Sequence, residues 1–411
     1  MIPFDYQTAG AEFLYKRKYA ILADTMGLGK SFTALLATTF HFESSRIFAP
    51  EDRACIIAPA FLLDTWKNEI EKCIPTYKEK FSVYSYNYIT TNYHLLKQFN
   101  LVIIDEIHSL KNPKAKRTNN IIAAICKYKP EFVFGLSGTP IKNKIPEFFT
   151  LIYLMYSREP DKFPYSYTRF CDTFSNQVIV DIGKRKVFKY EGHKNLEGLK
   201  QLLRPIYMRR TLNDVSQELP EMIRKEVFID SNESQDKLKE AWESYQQNKN
   251  EVSFATVKMN NAILKAEYTA SYVDTILEEC SDQALIIFSD HVDSARSIFD
   301  ILKKRLSCVC ITGSTPMRMR NIFVESFNKG TSQVLIATIG TMSVGYTLTR
   351  SNQIILNDLP WVSTDLDQAE KRIHRLGQTR TCFIHFISYG KVDSYINRKL
   401  MFKRELLKEV L

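Results

Sequence analysis

The sequence predicts an α/β protein with two parallel β-sheets and a mainly helical insertion between them. Short apolar runs recur in both halves of the chain, and polar, helix-compatible sequence follows each run, as in β-α-β units. The stretch between them is rich in Lys, Glu, Gln, Asn and aromatic residues and is mostly typical of helix. The chain has 411 residues, which suits two or three domains. We therefore expect a first lobe over residues 1–146, an insertion and connector over 147–279, and a second lobe over 280–411.

The apolar runs predict two sets of strands. The first set is Tyr19–Ala23, Ala54–Ala58, Leu101–Ile104 and Phe132–Leu136. The second set is Ala284–Ser289, Cys308–Ile311, Val334–Ala337, Gln353–Leu356 and Cys382–Ile387. Because strands alternate with helices, each set should form a parallel sheet. Inside the insertion, residues 178–190 (VIVDIGKRKVFKY) predict a basic hairpin with Gly183 at its turn.

Charge and cysteine usage limit the partners and the setting. The net charge is +10, with 56 Lys and Arg against 46 Asp and Glu, which favours a polyanionic partner. Nucleic acid is the first candidate and an anionic membrane surface the second, although a merely well-solvated surface would have the same composition. Eight cysteines without a C-x-x-C pair favour reduced thiols, no zinc finger and an intracellular setting.

The sequence gives no sign of export or membrane insertion. Its first residues lack the order of a signal peptide, and the longest apolar stretch, Ala54–Leu63, has ten residues including a proline. We therefore expect a soluble protein without a membrane span. Cytoplasm and nucleus both stay open, and the chain suits a cellular protein as well as a phage or viral one.

A phosphate-binding loop is indicated where the predicted strand Tyr19–Ala23 meets a helix. Met26–Ser31 (MGLGKS) follows the strand at this point. Backbone N–H groups and a helix N-terminus can hold phosphate, Lys30 would neutralise the β- and γ-phosphates, and the Ser31 hydroxyl would hold Mg²⁺. The match is imperfect, because the first glycine of G-x-x-x-x-G-K-[ST] falls at Asp24. A glycine-rich turn with a helix-capping serine is the alternative.

A pair of acids stands at the end of the predicted strand Leu101–Ile104. Asp105 and Glu106 follow it directly, at the edge of a parallel sheet where ligands bind. Asp105 can hold Mg²⁺, directly or through water, and Glu106 can orient and deprotonate an attacking water. Acids that only cap a strand are common, but a phosphate-binding loop 75 residues upstream favours the catalytic interpretation.

An ordered series of motifs resembles the Snf2-like ATPases of helicase superfamily 2. Asp105–Asn112 (DEIHSLKN) resembles the D-E-x-H-x-L-K-N signature, and Gly135–Asn143 (GLSGTPIKN) resembles the motif that couples ATP to nucleic acid. Gln368–Gln378 (QAEKRIHRLGQ) resembles motif VI, and with Gly345–Thr349 it is most similar to the annealing-helicase, fork-remodelling branch. Further matches are Phe4–Gln7, Ile56–Ile70, Met208–Thr211 with Leu219–Pro220, and Ile311–Thr315. The resemblance extends over nearly the whole chain.

The resemblance implies two RecA-like lobes that bind ATP and Mg²⁺. The residues expected at the nucleotide are Gln7 (at the adenine edge), Asp24, Thr25, Met26, Gly27, Leu28, Gly29, Lys30 and Ser31. The residues expected to act in hydrolysis are Lys30, Asp105, Glu106, Gln368, Arg372 and Arg375, with Ser31 and Asp105 as metal ligands. Arg372 and Arg375 are three residues apart, which would put both on one helix face as arginine fingers. A solvated basic helix face is the alternative.

The resemblance also implies DNA-dependent ATP hydrolysis that drives translocation on DNA, duplex or branched, without obligatory strand separation. A translocating motor should hold the phosphate backbone, because contacts to bases would tie it to one sequence. The residues expected to make these contacts are Trp66, Lys67, Lys111, Asn112, Lys142, Gly313 and Arg320. Each could instead be an ordinary surface or packing residue, and RNA stays open as a substrate.

Two rival functions remain at this point. A strand-separating helicase of superfamily 2, acting on DNA or RNA, would use the same motor. A regulatory binding module with a degenerate ATPase is the other rival, and the presence of every expected lysine, acid and arginine of the hydrolytic set opposes it. We expect a monomeric motor, and the sequence indicates no particular protein partner.

Overall fold

The computed structural model describes residues 2–44, 52–138, 144–182, 185–215, 220–229, 254–342, 346–375 and 377–410. The chain forms two compact units, Met1–Gln217 with Leu406–Leu411 and Glu218–Glu405. Each unit is built on a six-stranded parallel sheet, so the predicted α/β fold with two parallel sheets is confirmed. Of the helices described, none combines the length and the apolar character that crossing a bilayer requires.

The first unit has strands on the pattern that the sequence predicts, with two additions. The strands are β1 (Tyr19–Leu22), β2 (Ala54–Ala58), β3 (Phe81–Ser85), β4 (Leu101–Asp105), β5 (Phe132–Leu136) and β8 (Tyr207–Met208). Their order across the sheet is β3-β2-β4-β5-β1-β8. The four predicted strands are confirmed with ends that shift by at most one residue. The two additions, β3 and β8, lie at the edges of the sheet.

The first unit has nine helices among its described residues, and several of them pack on the two faces of the sheet. They are α1 (Asp5–Arg17), α2 (Lys30–Ser44), α3 (Leu63–Cys73), α4 (Tyr86–Thr91), α5 (Lys116–Tyr128), α6 (Phe149–Met155), α7 (Tyr167–Phe174), α8 (Leu196–Leu203) and α9 (Leu212–Val215). Ile103 packs into the core that α1, α2 and α3 form, whereas Ile104 packs into the core on the opposite face with α4, α5 and α6. Burial on both faces explains the continuous apolar strands, and it leaves the strand ends for polar groups.

The predicted basic hairpin is present in the first unit. It consists of β6 (Asn176–Ile182) and β7 (Arg185–Glu191), which pair antiparallel. The predicted turn residue, Gly183, lies outside the described residues. Ile179 and Phe188 are cross-strand partners, and they are 61% and 62% exposed.

The second unit repeats the arrangement of a helix-covered parallel sheet. Its strands are β9 (Met222–Phe228), β10 (Leu285–Ser289), β11 (Cys308–Ile311), β12 (Val334–Thr338), β13 (Gln353–Leu356) and β14 (Cys382–Ser388), in the order β11-β12-β10-β13-β14-β9. Its helices are α10 (Phe254–Leu264), α11 (Ala266–Glu279), α12 (Val292–Leu302), α13 (Met317–Lys329), α14 (Ile339–Met342), α15 (Ser363–Glu370) and α16 (Gly390–Val410). All five predicted strands are confirmed.

The stretch expected to be an insertion contributes one edge strand to each sheet. Within residues 147–279, β8 pairs with β1 and β9 pairs with β14. The strand β9 is not apparent from the sequence, because Arg224, Lys225 and Glu226 occupy its middle and most of its residues are at least partly exposed. The functional domain boundaries at residues 146 and 279 stay a prediction.

Candidate active site

The loop between β1 and α2 has its glycines where the backbone requires them. Gly27 and Gly29 have φ angles of 93° and 72°, in a region that residues with a Cβ rarely adopt. A Cβ on Gly29 would also lie 2.6 Å from the Nε2 of Gln7. The chain then enters α2, whose first two residues are Lys30 and Ser31. The predicted strand-loop-helix context of a phosphate-binding loop is therefore present, and the loop leads into the N-terminus of a 15-residue helix.

The Lys30 ammonium lies over the start of this loop. Its Nζ donates to the carbonyl oxygens of Asp24 and Thr25, at 2.8 Å and 3.4 Å. The Asp24 carboxylate is fully buried and accepts two hydrogen bonds from the Arg210 guanidinium, at 3.0 Å to Oδ1 and 2.5 Å to Oδ2. Asp24 thus offers its carbonyl to the lysine and its carboxylate to Arg210. Sequence reasoning assigned no role to Arg210, although it noted the motif that contains it.

Gln7 joins the start of α1 to the phosphate-binding loop. Its Oε1 accepts from the N–H of Phe4 at 3.1 Å, and its Nε2 donates to the carbonyl of Leu28 at 3.3 Å. The side chain is buried. Its predicted contact with adenine stays a prediction, and its position beside the loop agrees with that role.

Asp105 is the last residue of β4, and both oxygens of its carboxylate are held. Trp66 Nε1 donates to Oδ2 at 2.8 Å, and the N–H of Glu106 donates to Oδ1 at 2.9 Å. Burial, followed by the neighbouring Glu106 carboxylate, raises the pKa of Asp105, while Lys30 acts in the opposite direction. The expectation for Trp66 changes: it is only 2% exposed, so it supports the carboxylate instead of forming a nucleic-acid surface.

The backbone of Glu106 is in a left-handed conformation, with φ 51° and ψ 53°. Such a conformation costs a residue other than glycine about 1–3 kcal/mol and persists where the surroundings enforce it. The Glu106 Oε2 lies 3.1 Å from His108 Nδ1 and 3.3 Å from Ser137 Oγ. Tyr86 donates its hydroxyl to the carbonyl oxygens of Asp105 and Glu106, at 2.7 Å and 3.1 Å.

Ser137 and Gly138, which follow β5, contact both halves of the site. Ser137 Oγ donates to Glu106 Oε2, as described above. A Cβ on Gly138 would lie 2.6 Å from Met26 Cγ and 3.4 Å from Lys30 Nζ. The phosphate-binding loop and the acidic pair therefore converge on one dipeptide at the carboxyl edge of the sheet. Sequence reasoning placed these two residues in a coupling motif but did not assign them contacts.

A cavity of about 190 Å³ has Tyr86, which contacts the backbone of the acidic pair, in its lining. It lies at the carboxyl ends of β2, β3 and β4, and its lining is Pro59, Ala60, Ser85, Tyr86, Asn87, Ser109 and Arg117. Arg117 Nη2 donates to Asn87 Oδ1 at 3.0 Å, and the guanidinium lies 5.1 Å from the centroid of the Tyr86 ring. Sequence reasoning did not identify this cavity, because its residues come from four separate segments.

The expected nucleic-acid contacts of the first unit have varied surroundings. Lys67 is exposed and pairs with Asp64 at 3.4 Å. Lys111 pairs with Glu147 at 2.7 Å. Asn112 is exposed, and its Oδ1 accepts from the N–H of Lys114 at 2.9 Å. Lys142 lies outside the described residues. For these four positions the contact with nucleic acid stays a prediction.

In the second unit, the expected arginine fingers do not lie on a helix. The helix α15 ends at Glu370, so Arg372 and Arg375 lie in the turns that follow, and the expectation of one shared helix face is wrong. The Arg372 side chain is 2% exposed and donates to the carbonyl oxygens of Gln368 and Tyr346, both at 3.1 Å. It is therefore not a solvated surface arginine. Burial lowers the pKa of Arg375.

Arg320 organises the loop that contains Gly313. Its guanidinium donates to the carbonyl oxygens of Thr312, Gly313 and Thr315, at 3.2, 3.0 and 2.7 Å. Gly313 itself is exposed, and a Cβ there would meet open space. The structure thus gives Arg320 a role inside its own loop, whereas Gly313 remains accessible to a partner.

Comparison with known proteins identifies the family. The model of the SNF2-related domain matches residues 6–84 and 74–283, and the model of the helicase conserved C-terminal domain matches residues 268–377. The chain belongs to the SNF2-related family. The resemblance that the motifs predicted is thereby confirmed over most of the chain.

Relatives of this SNF2-related chain match it along nearly its full length. The DNA annealing helicase and endonuclease ZRANB3 of Mus musculus is 27% identical over 442 residues, covering 97% of this chain and 40% of that protein. The SWI/SNF-related matrix-associated actin-dependent regulator of chromatin subfamily A-like protein 1 of Drosophila melanogaster is 28% identical over 444 residues. This match covers 100% of this chain and 56% of that protein. The chain therefore spans 40% to 56% of the length of these two relatives.

A solved structure supports the fold alone. The Hef helicase domain of Pyrococcus furiosus superposes with a TM-score of 0.55 at 11% sequence identity, covering 96% of this chain and 98% of that one. At this identity the likeness shows a shared architecture of two parallel-sheet lobes. It carries no information on what this SNF2-related chain binds.

Proposed function

We propose that this SNF2-related chain is an ATP-driven motor that hydrolyses ATP and translocates on DNA. One observation carries the proposal. The phosphate-binding loop and the acidic pair meet at the same dipeptide: Ser137 Oγ bonds to Glu106, and Gly138 lies against Lys30. A lysine, a helix N-terminus and a carboxylate at one strand edge are the groups that phosphoryl transfer to water requires.

The chain's residues fit a nucleotide with Mg²⁺. Two left-handed glycines shape a loop that ends at a helix N-terminus, which suits phosphate. An ionised carboxylate offers about four lone-pair sites, and Asp105 uses two of them, for Trp66 and for the N–H of Glu106. The others could take a metal ion or its water, with the Ser31 hydroxyl as a second ligand. Mg²⁺ held there would neutralise phosphate charge during hydrolysis.

Each remaining group has a distinct task in this proposal. Glu106 orients the attacking water and accepts its proton, while Ser137 and His108 hold its carboxylate in place. Lys30 contacts the β- and γ-phosphates in exchange for its bonds to loop carbonyls. The expected part of Gln368, Arg372 and Arg375 in hydrolysis stays a prediction, since Arg372 is buried and donates to carbonyl oxygens within the second unit.

DNA is the polymer that we propose. The net charge of +10 favours a polyanion, and the cavity that Tyr86 lines also contains Arg117, Asn87 and Ser109, which can all donate to a backbone phosphate. The relatives include a protein named as a DNA annealing helicase, which favours DNA over RNA. Backbone contacts would allow movement along any sequence.

The direct experiment compares nucleic acids as stimulants of ATP hydrolysis. Single-stranded DNA, duplex DNA, forked DNA and RNA are added separately at saturating concentration, and the ATP turnover rate is measured. The proposal expects the largest stimulation with duplex or forked DNA and none with RNA. Affinity for duplex DNA should also fall steeply with salt. Stimulation by RNA alone, or an affinity independent of salt, would contradict the DNA assignment.

Strand separation is the second candidate, and the hairpin favours it. Proteins unstack base pairs with apolar side chains such as Ile and Phe, and the β6–β7 hairpin presents the exposed cross-strand pair Ile179 and Phe188. Displacement of a triplex strand without unwinding of a tailed duplex supports translocation alone. Unwinding of the tailed duplex that is lost in the Ile179→Ser/Phe188→Ser variant supports strand separation.

A further inference from the structure

Tyr86 joins the cavity at the ends of β2, β3 and β4 to the backbone of the acidic pair. It is the first residue of α4, directly after β3, and it is buried. Its hydroxyl donates to the carbonyl oxygens of Asp105 and Glu106, at 2.7 Å and 3.1 Å. Tyr86 also lines the cavity, together with Arg117 and Ser109. One side chain therefore contacts both the proposed DNA pocket and the proposed catalytic base.

The two hydroxyl contacts restrain the part of the backbone that sets the direction of the Glu106 side chain. The carbonyl oxygens of Asp105 and Glu106 flank the left-handed Glu106, so fixing them limits its φ and ψ rotation. A left-handed residue with a side chain returns to an ordinary conformation unless its surroundings prevent it. The Tyr86 hydroxyl is one of those surroundings, and it keeps the Glu106 carboxylate near Ser137 and His108.

The ring of Tyr86 is held from the cavity side. The Arg117 guanidinium lies 5.1 Å from the ring centroid, and it is fixed there by its bond to Asn87. Ser109 lines the same cavity. A phosphate that enters the cavity would attract both Arg117 and Ser109, so it would act on the guanidinium that lies over the Tyr86 ring.

We propose that Tyr86 is a positioning residue that couples a nucleic-acid phosphate in the cavity to the orientation of Glu106. The inference rests on the proposed function, and it adds a physical route by which DNA raises the rate of ATP hydrolysis. The phosphodiester binds to Arg117 and Ser109, Arg117 shifts against the Tyr86 ring, and the hydroxyl transfers the change to the Glu106 backbone. ATP binding at Lys30 takes no part in this route.

The experiment is Tyr86→Phe, which removes only the hydroxyl. The kcat and the KM for ATP are measured without DNA and with saturating duplex DNA. We expect kcat with DNA to fall about five- to tenfold, the scale of one or two lost hydrogen bonds, while KM and the affinity for DNA stay within about twofold. Tyr156→Phe is the matched control, since its hydroxyl also donates to a carbonyl, that of Leu202 at 2.8 Å, and it should leave all these values unchanged.

A second variant tests the route from the cavity and does not depend on the stability of the first. Arg117→Gln should also lower kcat with DNA at unchanged KM for ATP, and the double variant with Tyr86→Phe should be no slower than the slower single variant, because both changes break one route. Wild-type stimulation in Arg117→Gln, or in a folded Tyr86→Phe, overturns the inference. The inference is also overturned if the fold-decreases in kcat of the two single variants multiply in the double variant. A wild-type protein that DNA does not stimulate contradicts the proposed function instead.

Discussion

Arg210 and Asp24 form a bidentate ion pair beneath the phosphate-binding loop, at 3.0 Å and 2.5 Å, with the Asp24 side chain fully buried. Arg210 also donates to the carbonyl of Tyr6, at the start of α1. It comes two residues after β8, so it ties the edge strand of the first sheet to the loop whose carbonyls hold Lys30. The packing is tight enough that a Cβ on Gly10 would lie 2.5 Å from Arg210 Nη2.

Breaking this pair should loosen the loop and destabilise the first unit. Arg210→Gln leaves the buried Asp24 carboxylate without its cation, which costs about 3–5 kcal/mol in comparable buried pairs. We expect a lower melting temperature and a higher KM for ATP. Arg210→Lys keeps the charge but loses the bidentate geometry, so its melting temperature and its KM for ATP should lie between those of the wild type and of Arg210→Gln. Calorimetric melting and ATP titration measure both effects, and an unchanged KM for ATP in Arg210→Gln would show that the pair has no influence on the loop.

Trp66 should affect the rate of hydrolysis and not the affinity for DNA. Its indole N–H donates to Asp105 Oδ2, and the side chain is buried. In Trp66→Phe the carboxylate loses a hydrogen bond of a charged group, an interaction of about 1.5–3 kcal/mol. We expect kcat to fall about tenfold and the dissociation constant for duplex DNA to stay within about twofold. An unchanged kcat with a weakened affinity for duplex DNA would instead support the contact between Trp66 and nucleic acid that the sequence predicted.

The buried ion pair Lys265–Asp393 should be important for the stability of the second unit. Lys265 Nζ lies 2.7 Å from Asp393 Oδ2 and also donates to the carbonyl of Ile387, and both side chains are buried. Asp393→Ala leaves an uncompensated buried ammonium, so we expect a loss of about 3–5 kcal/mol in the free energy of unfolding. The double variant Lys265→Met/Asp393→Leu should recover most of it, because no charge remains buried. Denaturant unfolding checks both, and a double variant as unstable as the single one would contradict this account.

His385 should make the second unit less stable in acid. Burial, and then the charge of Lys225 on the adjacent strand, lowers the pKa of His385 to about 4. Tyr272 and Gln353 lie against its two ring nitrogens, at 3.0 Å each. Because the folded state favours the neutral ring, its contribution is complete above about pH 6.5 and is lost as the pH falls towards 4, by up to about 1.4 kcal/mol per pH unit.

Thermal unfolding between pH 4.5 and 7.5 tests this dependence. His385→Gln removes the titrating group while keeping a donor and an acceptor, so its stability should depend less on pH than that of the wild type. His94→Gln changes an exposed histidine and is the matched control. Its stability should depend on pH as that of the wild type does. Equal slopes for all three proteins would contradict the assignment to His385.

The sequence predicted those parts of the fold that depend on local pattern. All nine predicted strands are present, and most of them are buried on both faces and therefore form apolar runs, while the edge strand β11 has its alternate residues Val309 and Ile311 buried. The edge strands β3, β8 and β9 were missed, since an edge strand needs no continuous apolar run and β8 has only two residues. The helix expected to contain Arg372 and Arg375 ends before both.

In the candidate site too, residues with a local sequence pattern could be predicted, and residues without one could not. The left-handed glycines and the acids at the end of β4 have local signatures, so Gly29, Asp105 and Glu106 could be identified from the sequence. Their partners could not, because each is distant along the chain: Arg210 is 186 residues from Asp24, and Trp66 is 39 residues from Asp105. No sequence pattern encodes such a pairing, and only the fold brings the partners together.

The central claim is that the phosphate-binding loop and the acidic pair form one ATP-hydrolysing site. The most direct test measures ATP binding and ATP turnover in saturating duplex DNA for the wild type, Lys30→Ala and Glu106→Gln. We predict that Glu106→Gln binds ATP like the wild type but hydrolyses it at least about a hundredfold more slowly, and that Lys30→Ala loses both properties. If Glu106→Gln turned over ATP as fast as the wild type, the claim would be contradicted.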